Sequence, residues 1–377
     1  QEVELEADGA QRVEFVISSL EPGIRHAEIR ITGQDALAVD DRRYLSVEVR
    51  SPWLVLVIAP ADVNTSSFVE LIAPYEYRVA QRAAYDCLVI EPDDLPNHGL
   101  DEFAAVVLLD PTPLPATTWE QLDSYVREGG QLALFLGPNA GDSQSFNLPA
   151  AKTLLPGSLG RQYRVPGNGV YLAPHSYDHP ILRRFRPLAS SVPWDEFPVF
   201  RFWNIDQLAP DTQSILRYGN NCDALLERAV DKGTVLMMTS PVTEMARPRG
   251  RRPWNELAGP DDWPRFMLLN DLMRYLTQHD AGRYNFVTGQ QVVLANPIDQ
   301  APLRYLLFLP DGETQPVQAR NGLLSVKTTE SPGTYRLKGE RDGPVIKGFS
   351  ANLSARHSDL RRTDPEYFDQ LFGADRY

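Results

Sequence analysis

The sequence predicts an open α/β sheet in the middle of the chain, with a β domain on either side. Around residues 53–59, 85–90, 104–109 and 131–136 lie apolar runs without alternation, which is typical of strands covered on both faces by helices. Helical segments separate these runs, and strand-helix-strand order predicts parallel pairing through right-handed crossovers. Toward both ends of the chain, apolar and polar residues alternate instead, which indicates antiparallel strands with one buried face.

The chain has 377 residues, more than one hydrophobic core usually organises, so we expect several domains. We divide it at the points where the hydrophobic pattern changes. The predicted regions are an N-terminal β domain at 1–50, the α/β domain at 51–282 with an insertion at about 138–213, and a C-terminal sandwich-like β domain with a short terminal helix at 283–377.

Turn residues and helix caps set the limits of the elements. In the first β domain, turns at Glu21-Pro-Gly23 and Thr32-Gly33 separate strands at 13–17, 27–31 and 44–49. In the α/β domain, a capping box at Ser67 and Glu70 begins one helix, and another at Thr117 and Glu120 begins a helix over about 118–128. Strands follow at 199–205, 214–218, 224–228 and 234–239, then a helix from about residue 262. The C-terminal strands are predicted at 291–294, 303–309, 323–326 and 333–337, before a helix within 358–373.

The charge balance excludes nucleic acid as a partner. Lys and Arg number 37 against 50 Asp and Glu, a formal net charge of -13, so the chain repels phosphate backbones. The longest apolar runs are far shorter than the ~20 residues that cross a bilayer, so any membrane contact requires segments absent from this sequence. Four arginines in a Pro/Gly-rich stretch are either a solvated loop or an anion site: Arg247, Arg249, Arg251 and Arg252.

The segment 103–111, the helix ended by Gly129-Gly130 and the strand 131–137 resemble the strand, helix and nucleophile-strand unit of class I glutamine amidotransferase-like domains. The resemblance implies a flavodoxin-like open sheet. In catalytic members a cysteine follows this strand and a His-Pro-Glu motif follows a late strand. Here Phe135 takes the place of the cysteine, and Ser240 and Val242 take the places of the histidine and glutamate. The fold is therefore predicted without the Cys-His-Glu triad.

Other sequence motifs give no cofactor site. Neither Cys87 nor Cys222 lies in a Gly-x-Cys-x-Gly setting, and no Gly-x-Ser-x-Gly occurs. The sequence also has no P-loop and no dinucleotide-binding glycine pattern, so we expect no cofactor.

Three sets of residues remain as binding candidates. Asp110 and Asn139 lie in loops after strands, where ligands bind in open parallel sheets. His175, Asp178 and His179 offer metal-ligand chemistry without an obvious fourth ligand, and the alternative is capping and loop hydrogen bonds, so we expect no metal. Trp194 and Trp203, with Trp254, Trp263, Tyr171 and Tyr177, either line a groove for a sugar or peptide or pin the insertion to the sheet.

A wider resemblance covers most of the chain. The segments 35–44, 349–353 and 357–360, with the α/β domain between them, are similar to the extracytoplasmic portion of BatA-type (aerotolerance-related) bacterial membrane proteins. This resemblance implies a membrane-anchored protein on the extracytoplasmic side. The chain departs from the family in lacking both a transmembrane helix and the Asp-x-Ser-x-Ser motif. We therefore predict a non-catalytic binding or scaffold module for an unknown protein or polymer ligand, with a metal-assisted hydrolase or a carbohydrate-binding module as alternatives.

Overall fold

A computed structural model describes the chain at residues 11–15, 17, 20–33, 37, 39–141, 143–243, 252–259, 261–277, 284–296, 301–327, 329–339, 343–354 and 365–373. The chain forms two compact units. Pro52–His279 is the α/β unit, and Gln1–Ser51 with Asp280–Tyr377 is the β unit. The N-terminal and C-terminal β regions, which we predicted as separate domains, thus belong to one unit. Arg247, Arg249, Arg251 and the segment 357–360 lie outside the described residues.

The first two strands belong to the β unit. Strands β1 (Gly23–Arg30) and β2 (Arg42–Val49) pair antiparallel, with His26 opposite Ser46. The predicted strand at 13–17 is not observed: residues 11–15 and 17 adopt no strand, and Val16 lies outside the described residues. Alternation alone does not make a strand, because a strand also needs a neighbour to pair with.

The described part of the α/β unit contains ten strands and five helices. Its strands are β3 (Trp53–Ile58), β4 (Tyr85–Ile90), β5 (Ala105–Leu109), β6 (Gln131–Phe135), β7 (Gly157–Arg164), β8 (Leu172–Ala173), β9 (Arg201–Leu208), β10 (Thr212–Tyr218), β11 (Asp223–Val230) and β12 (Gly233–Met238). Its helices are α1 (Thr65–Ile72), α2 (Tyr75–Val79), α3 (Ala116–Arg127), α4 (Pro149–Leu154) and α5 (Trp263–Thr277). Short 3₁₀ turns occur at Pro92–Asn97, Pro138–Ala140, Ser145–Asn147, Arg183–Leu188 and Trp194–Glu196.

Eight of these strands form one mixed sheet in the order β4-β3-β5-β6-β12-β11-β10-β8. The first five are parallel, and their order is that of flavodoxin-like sheets. Strands β11, β10 and β8 extend the sheet antiparallel, while β7 and β9 form a separate pair. The predicted open α/β fold is confirmed.

Helices cover both faces of the sheet. On one face α1 and α5 pack against residues such as Val55 and Val107, and on the other α3 and α4 pack against residues such as Leu56 and Val106. All four of these valine and leucine side chains are fully buried, as expected for a parallel strand without alternation. Among the described residues, no helix has the length and apolarity needed to cross a bilayer.

Both predicted capping boxes are wrong in detail. Helix α1 begins one turn earlier than expected, at Thr65, where the side chain of Asn64 accepts the N–H of Ser67 at 3.4 Å. Helix α3 begins at Ala116 after Pro115, and Pro115 makes no side-chain cap. Because proline fixes φ at a value compatible with a helix start, the Pro115 position outweighs the hydroxyl of Thr117.

The remaining elements complete the β unit. They are β13 (Asn285–Val287), β14 (Val292–Ala295), β15 (Arg304–Phe308), β16 (Thr314–Gln318), β17 (Leu323–Val326), β18 (Gly333–Lys338), β19 (Val345–Asn352) and α6 (Pro365–Phe372). Five strands form a sheet in the order β13-β19-β18-β15-β16, and β14 pairs with β17. In its core Tyr335 stacks on Phe349, with ring centroids 4.7 Å apart.

Two asparagine side chains fasten β2 within the β unit. The amide of Asn285 accepts the N–H of Ser46 at 2.8 Å and donates to its carbonyl at 2.9 Å. The amide of Asn352 does the same with Tyr44, at 2.8 Å in both directions. Each side-chain amide thereby replaces the backbone partner that a neighbouring strand would provide.

Candidate functional site

The carboxyl ends of β3, β5 and β6 bring together two of the predicted binding residues. Asp110, which follows β5, accepts the backbone N–H of Asn139 on Oδ1 at 2.9 Å. Its own N–H donates to the carbonyl of Phe135 at 2.8 Å. A Cβ placed on Gly137 would lie 2.5 Å from Asp110 Oδ1, so only glycine fits there. Asp110 is 6% exposed and has φ of 44°, a conformation held by these contacts.

The Asn139 side chain extends this hydrogen-bond network to a third loop. Its Nδ2 donates to Oδ1 of Asp62, in the loop after β3, at 3.1 Å. The sequence analysis did not identify Asp62 as a binding candidate. The three polar side chains tie neighbouring loops to one another, and among the described residues no cluster of three His, Cys, Asp or Glu side chains is able to hold a metal ion.

The three positions that replace the family's triad are all buried. Phe135 is 1% exposed and packs on Phe68 of α1, with ring centroids 6.0 Å apart. The Ser240 hydroxyl donates to the carbonyl of Arg201 at 3.2 Å and accepts Nδ2 of Asn255 at 2.7 Å. Val242 is buried as well. All three side chains are therefore shielded from solvent.

The insertion fills the carboxyl edge between β6 and β12. Trp203 of β9 is 3% exposed, and its indole N–H donates to the carbonyl of Gly137 at 2.9 Å. Its backbone N–H donates to the carbonyl of Thr239 at 2.8 Å. The ring of Trp254 lies beside it, with centroids 6.3 Å apart. Trp203 therefore forms hydrogen bonds to the residues that follow β6 and β12. In the catalytic proteins that the sequence resembles, the corresponding strands carry the nucleophile and the base.

Among the described residues, the structure does not bring His175, Asp178 and His179 together as a group that could hold a metal ion. His175 is exposed, with Nδ1 at 3.1 Å from the carbonyl of Ala173. Asp178 accepts the Ser176 hydroxyl at 2.5 Å and pairs with Arg186. The Ser176 hydrogen bond and the Arg186 charge lower the pKa of Asp178. These contacts fit the loop-bonding alternative rather than a metal site.

His179 turns inward to a polar cluster that sequence reasoning missed. Its Nε2 lies 3.0 Å from Oε2 of Glu227 on β11, and the hydroxyl of Tyr275 on α5 donates to Oε1 at 2.5 Å. The N–H of Ile181 donates to Nδ1 at 3.3 Å, so the neutral ring carries its proton on Nε2. Burial, and then the hydrogen bond to Glu227, raises the pKa of Tyr275. We name His179, Glu227 and Tyr275 the insertion clamp, because they bind the insertion to the sheet and to α5.

The aromatic residues of the insertion pack inside the unit. Trp194 is partly buried, and its indole N–H donates to the hydroxyl of Tyr177 at 3.3 Å. It also packs on Phe185, with ring centroids 5.2 Å apart. The cavity beside Trp194 and Phe197 has a volume of about 10 Å³, which is too small for a sugar or peptide. This packing is what the pinning alternative predicts.

Neither cysteine is placed as a nucleophile. Cys87 lies within β4, where burial, and then the nearby Asp86, raises the pKa of its thiol to about 12. Burial also raises the pKa of Cys222. Because the thiolate is the reactive form, both thiols are poor nucleophiles at neutral pH.

Comparisons with known proteins provide neither a family nor a function for the chain. No protein-family model and no curated protein matches the sequence. A cytoplasmic protein from Salmonella typhimurium is 15% identical over 67% of this chain and 94% of its own, with a TM-score of 0.41. A ThuA-like protein from Bacteroides uniformis is 10% identical over 61% of this chain and 94% of its own, with a TM-score of 0.40. A β-galactosidase from Bacillus circulans is 11% identical over 73% of this chain but 41% of its own, with a TM-score of 0.38.

ThuA-like proteins belong to the class I glutamine amidotransferase-like superfamily, the one that the sequence motifs resemble. At these identities and scores the neighbours carry no argument about chemistry. The order and direction of the strands are the basis for the fold. The comparisons provide no link to BatA-type proteins or to a membrane protein.

Proposed function

We propose that this chain is a non-catalytic binding or scaffold module in which an amidotransferase-like domain has lost its reaction site. The position of Trp203 is the observation that carries the proposal. Its indole and backbone N–H groups bond to the ends of β6 and β12, where chemistry in this fold requires open space. Burial of Phe135 and Ser240 supports the same conclusion, because neither side chain is able to reach a substrate.

The proposal includes a cellular setting. The sequence resemblance to BatA-type proteins supports a membrane-anchored bacterial protein with this chain on the extracytoplasmic side. The ligand is then a protein or polymer of that compartment. A metal-assisted hydrolase is disfavoured by the separation of His175, Asp178 and His179, and a carbohydrate groove by the burial of Trp203.

Hydrolysis assays test the absence of catalysis. Purified chain is incubated with L-glutamine, p-nitrophenyl acetate and p-nitrophenyl β-galactoside, with and without Zn²⁺ or Mn²⁺, beside a Ser240→Ala variant. We expect no rate above buffer for either protein. Turnover by the wild type that disappears in Ser240→Ala would refute a non-catalytic role. Elemental analysis of wild type and His179→Ala adds a second check, since one equivalent of metal lost in the variant would favour the hydrolase.

Cell fractionation tests the setting. We expect the native protein in the membrane fraction of its host, and we expect added protease to digest this chain in spheroplasts without lysis. Recovery in the soluble cytosol, protected until lysis, would contradict the extracytoplasmic assignment while leaving the absence of catalysis untouched.

A further inference from the structure

The β unit contains an open cleft of about 550 Å³, within the ~300–1,000 Å³ range of ligand sites. Residues of β1, β2 and β18 line it, together with the turn between β15 and β16. One side of the cleft is closely packed, because a Cβ on Gly333 would lie 2.5 Å from Cβ of Pro310. This packing requires glycine at position 333, where φ is 148°. We name it the β-unit cleft.

Arginines give the β-unit cleft its charge. Arg336 on β18 is exposed, and its guanidinium makes no hydrogen bond or ion pair with any residue that the structure describes. Arg42 belongs to the same lining, and its Nε lies 3.7 Å from Oε1 of Glu28, which is longer than a hydrogen bond. Glu28 is the one acidic side chain in the described lining, so the cleft keeps a positive charge on a chain whose net charge is -13.

His26 forms part of the lining without adding charge. Its ring lies against the backbone of Gly348, where a Cβ would stand 2.7 Å from Cε1. Nδ1 is 2.7 Å from the hydroxyl of Ser46, which in turn is 2.6 Å from that of Ser350. Burial, and then the charge of Arg336, lowers the pKa of His26 to about 4. The ring is therefore neutral at physiological pH, and the charge of the lining comes from the two arginines and Glu28.

The apolar part of the lining is next to Arg336. Phe308 on β15 is the cross-strand neighbour of Arg336 on β18, and Nζ of Lys338 lies 5.1 Å from the ring centroid of Phe308. Leu309 and Pro310 continue this wall. A guanidinium beside an apolar wall suits a carboxylate on a short aliphatic stem, because the planar donors bind both oxygens while the methylenes pack on the wall.

We propose that the β-unit cleft binds a glutamate- or aspartate-bearing peptide segment, with Arg336 as the main carboxylate contact and Arg42 as the second. This assignment deepens the proposed binding function and relies on it for its biological meaning. Its chemistry depends only on residues of the β unit. The site is therefore independent of whether the α/β unit is catalytic.

Fluorescence anisotropy of a fluorescein-labelled hexaglutamate peptide with the full chain tests the proposal. Arg336→Gln should weaken binding at least about tenfold, the loss expected for one charge-assisted bidentate contact. Glu28→Gln should strengthen it, because Arg42 loses its competing carboxylate. The matched control is Arg320→Gln, which removes the same charge from an exposed arginine of the β unit outside the cleft, and which should leave the affinity within about twofold.

Equal weakening by Arg336→Gln and Arg320→Gln would overturn the proposal, since it would show general charge attraction. Binding of hexaglutamine as strongly as hexaglutamate would also overturn it. Tighter binding of oligogalacturonate or inorganic phosphate than of peptide would refute the peptide assignment. Circular dichroism confirms that each variant folds.

An NMR titration provides a second readout. His26 lies in the same lining as Arg336, so bound peptide should shift the NMR signals of the His26 ring at about pH 7, where the peptide carboxylates are ionised. Unchanged His26 signals with bound peptide would place the peptide elsewhere. If the chain neither binds peptide nor turns over a substrate, the peptide-binding proposal is rejected and the non-catalytic proposal stands. If the chain binds peptide in the β-unit cleft and also turns over a substrate, only the non-catalytic proposal is rejected.

Discussion

Replacement of Trp203 by phenylalanine should destabilise the α/β unit markedly. The change removes the 2.9 Å hydrogen bond to the carbonyl of Gly137 from a side chain that is 3% exposed. Leaving a buried acceptor without this donor costs about 1–3 kcal/mol. The smaller ring also leaves a void beside Trp254, which adds roughly 1 kcal/mol. We therefore expect the free energy of unfolding to fall by about 2–4 kcal/mol.

Urea unfolding followed by tryptophan fluorescence measures this loss. All six tryptophans lie between residues 53 and 263, so the signal reports on the α/β unit alone. Far-UV circular dichroism provides a probe that does not depend on the mutated residue. The shift in midpoint at a common slope gives the change in unfolding free energy.

The matched control is Trp263→Phe, because Trp263 is 38% exposed at the start of α5. We expect that change to cost less than about 0.5 kcal/mol. If Trp203→Phe were no more destabilising than Trp263→Phe, Trp203 would not be fixing the two strand ends, and the main support for the proposed function would be lost.

Three further outcomes are expected. Because the pKa of His26 is lowered from 6.5 to about 4, folding favours its neutral form, so stability is fully present above pH 6.5 and falls as pH drops through 4. Discounted for partial exposure, the loss is on the order of 1–2 kcal/mol, measured by calorimetry across pH, and His26→Gln should flatten this dependence. Glu227→Gln should destabilise the α/β unit by roughly 1–2 kcal/mol and speed proteolysis of the insertion, because His179 loses a charged acceptor. Exposed Glu120→Gln is its control, and equal proteolysis of the two variants would contradict the insertion clamp. Cys87 should resist a thiol reagent at pH 8 until urea unfolds the chain, because its pKa is about 12, and rapid labelling of the native protein would refute its burial.

The sequence alone was enough to predict the parallel part of the α/β sheet. Runs such as those of β3 and β5 are apolar at every position, and only burial on both faces explains that pattern. The family resemblance matched Phe135 to the position of the cysteine, and Phe135 is the last residue of β6. The sequence analysis also placed Asp110 and Asn139 at one edge of the sheet, where they are hydrogen-bonded.

The other features of the fold and the site depend on contacts between residues far apart in the chain, and such contacts leave no local sequence pattern. Trp203 belongs to a predicted strand of the insertion, but its partners Gly137 and Thr239 lie 66 and 36 residues away along the chain, so the sequence does not indicate these contacts. Glu227 was hidden within an ordinary strand segment, 48 residues from His179. The β-unit cleft requires β1 and β18 to be brought together, and no alternation pattern specifies which strands of different regions meet.

The asparagine bonds to β2 have a consequence for biosynthesis. During vectorial synthesis, Ser46 emerges from the ribosome 239 residues before Asn285, and Tyr44 emerges 308 residues before Asn352. Contacts between residues so far apart in the sequence form late, whereas both partners of every contact within Pro52–His279 have been synthesised earlier. The β1–β2 hairpin must therefore wait, and the backbone groups of Ser46 and Tyr44 lack these partners until Asn285 and Asn352 have been synthesised.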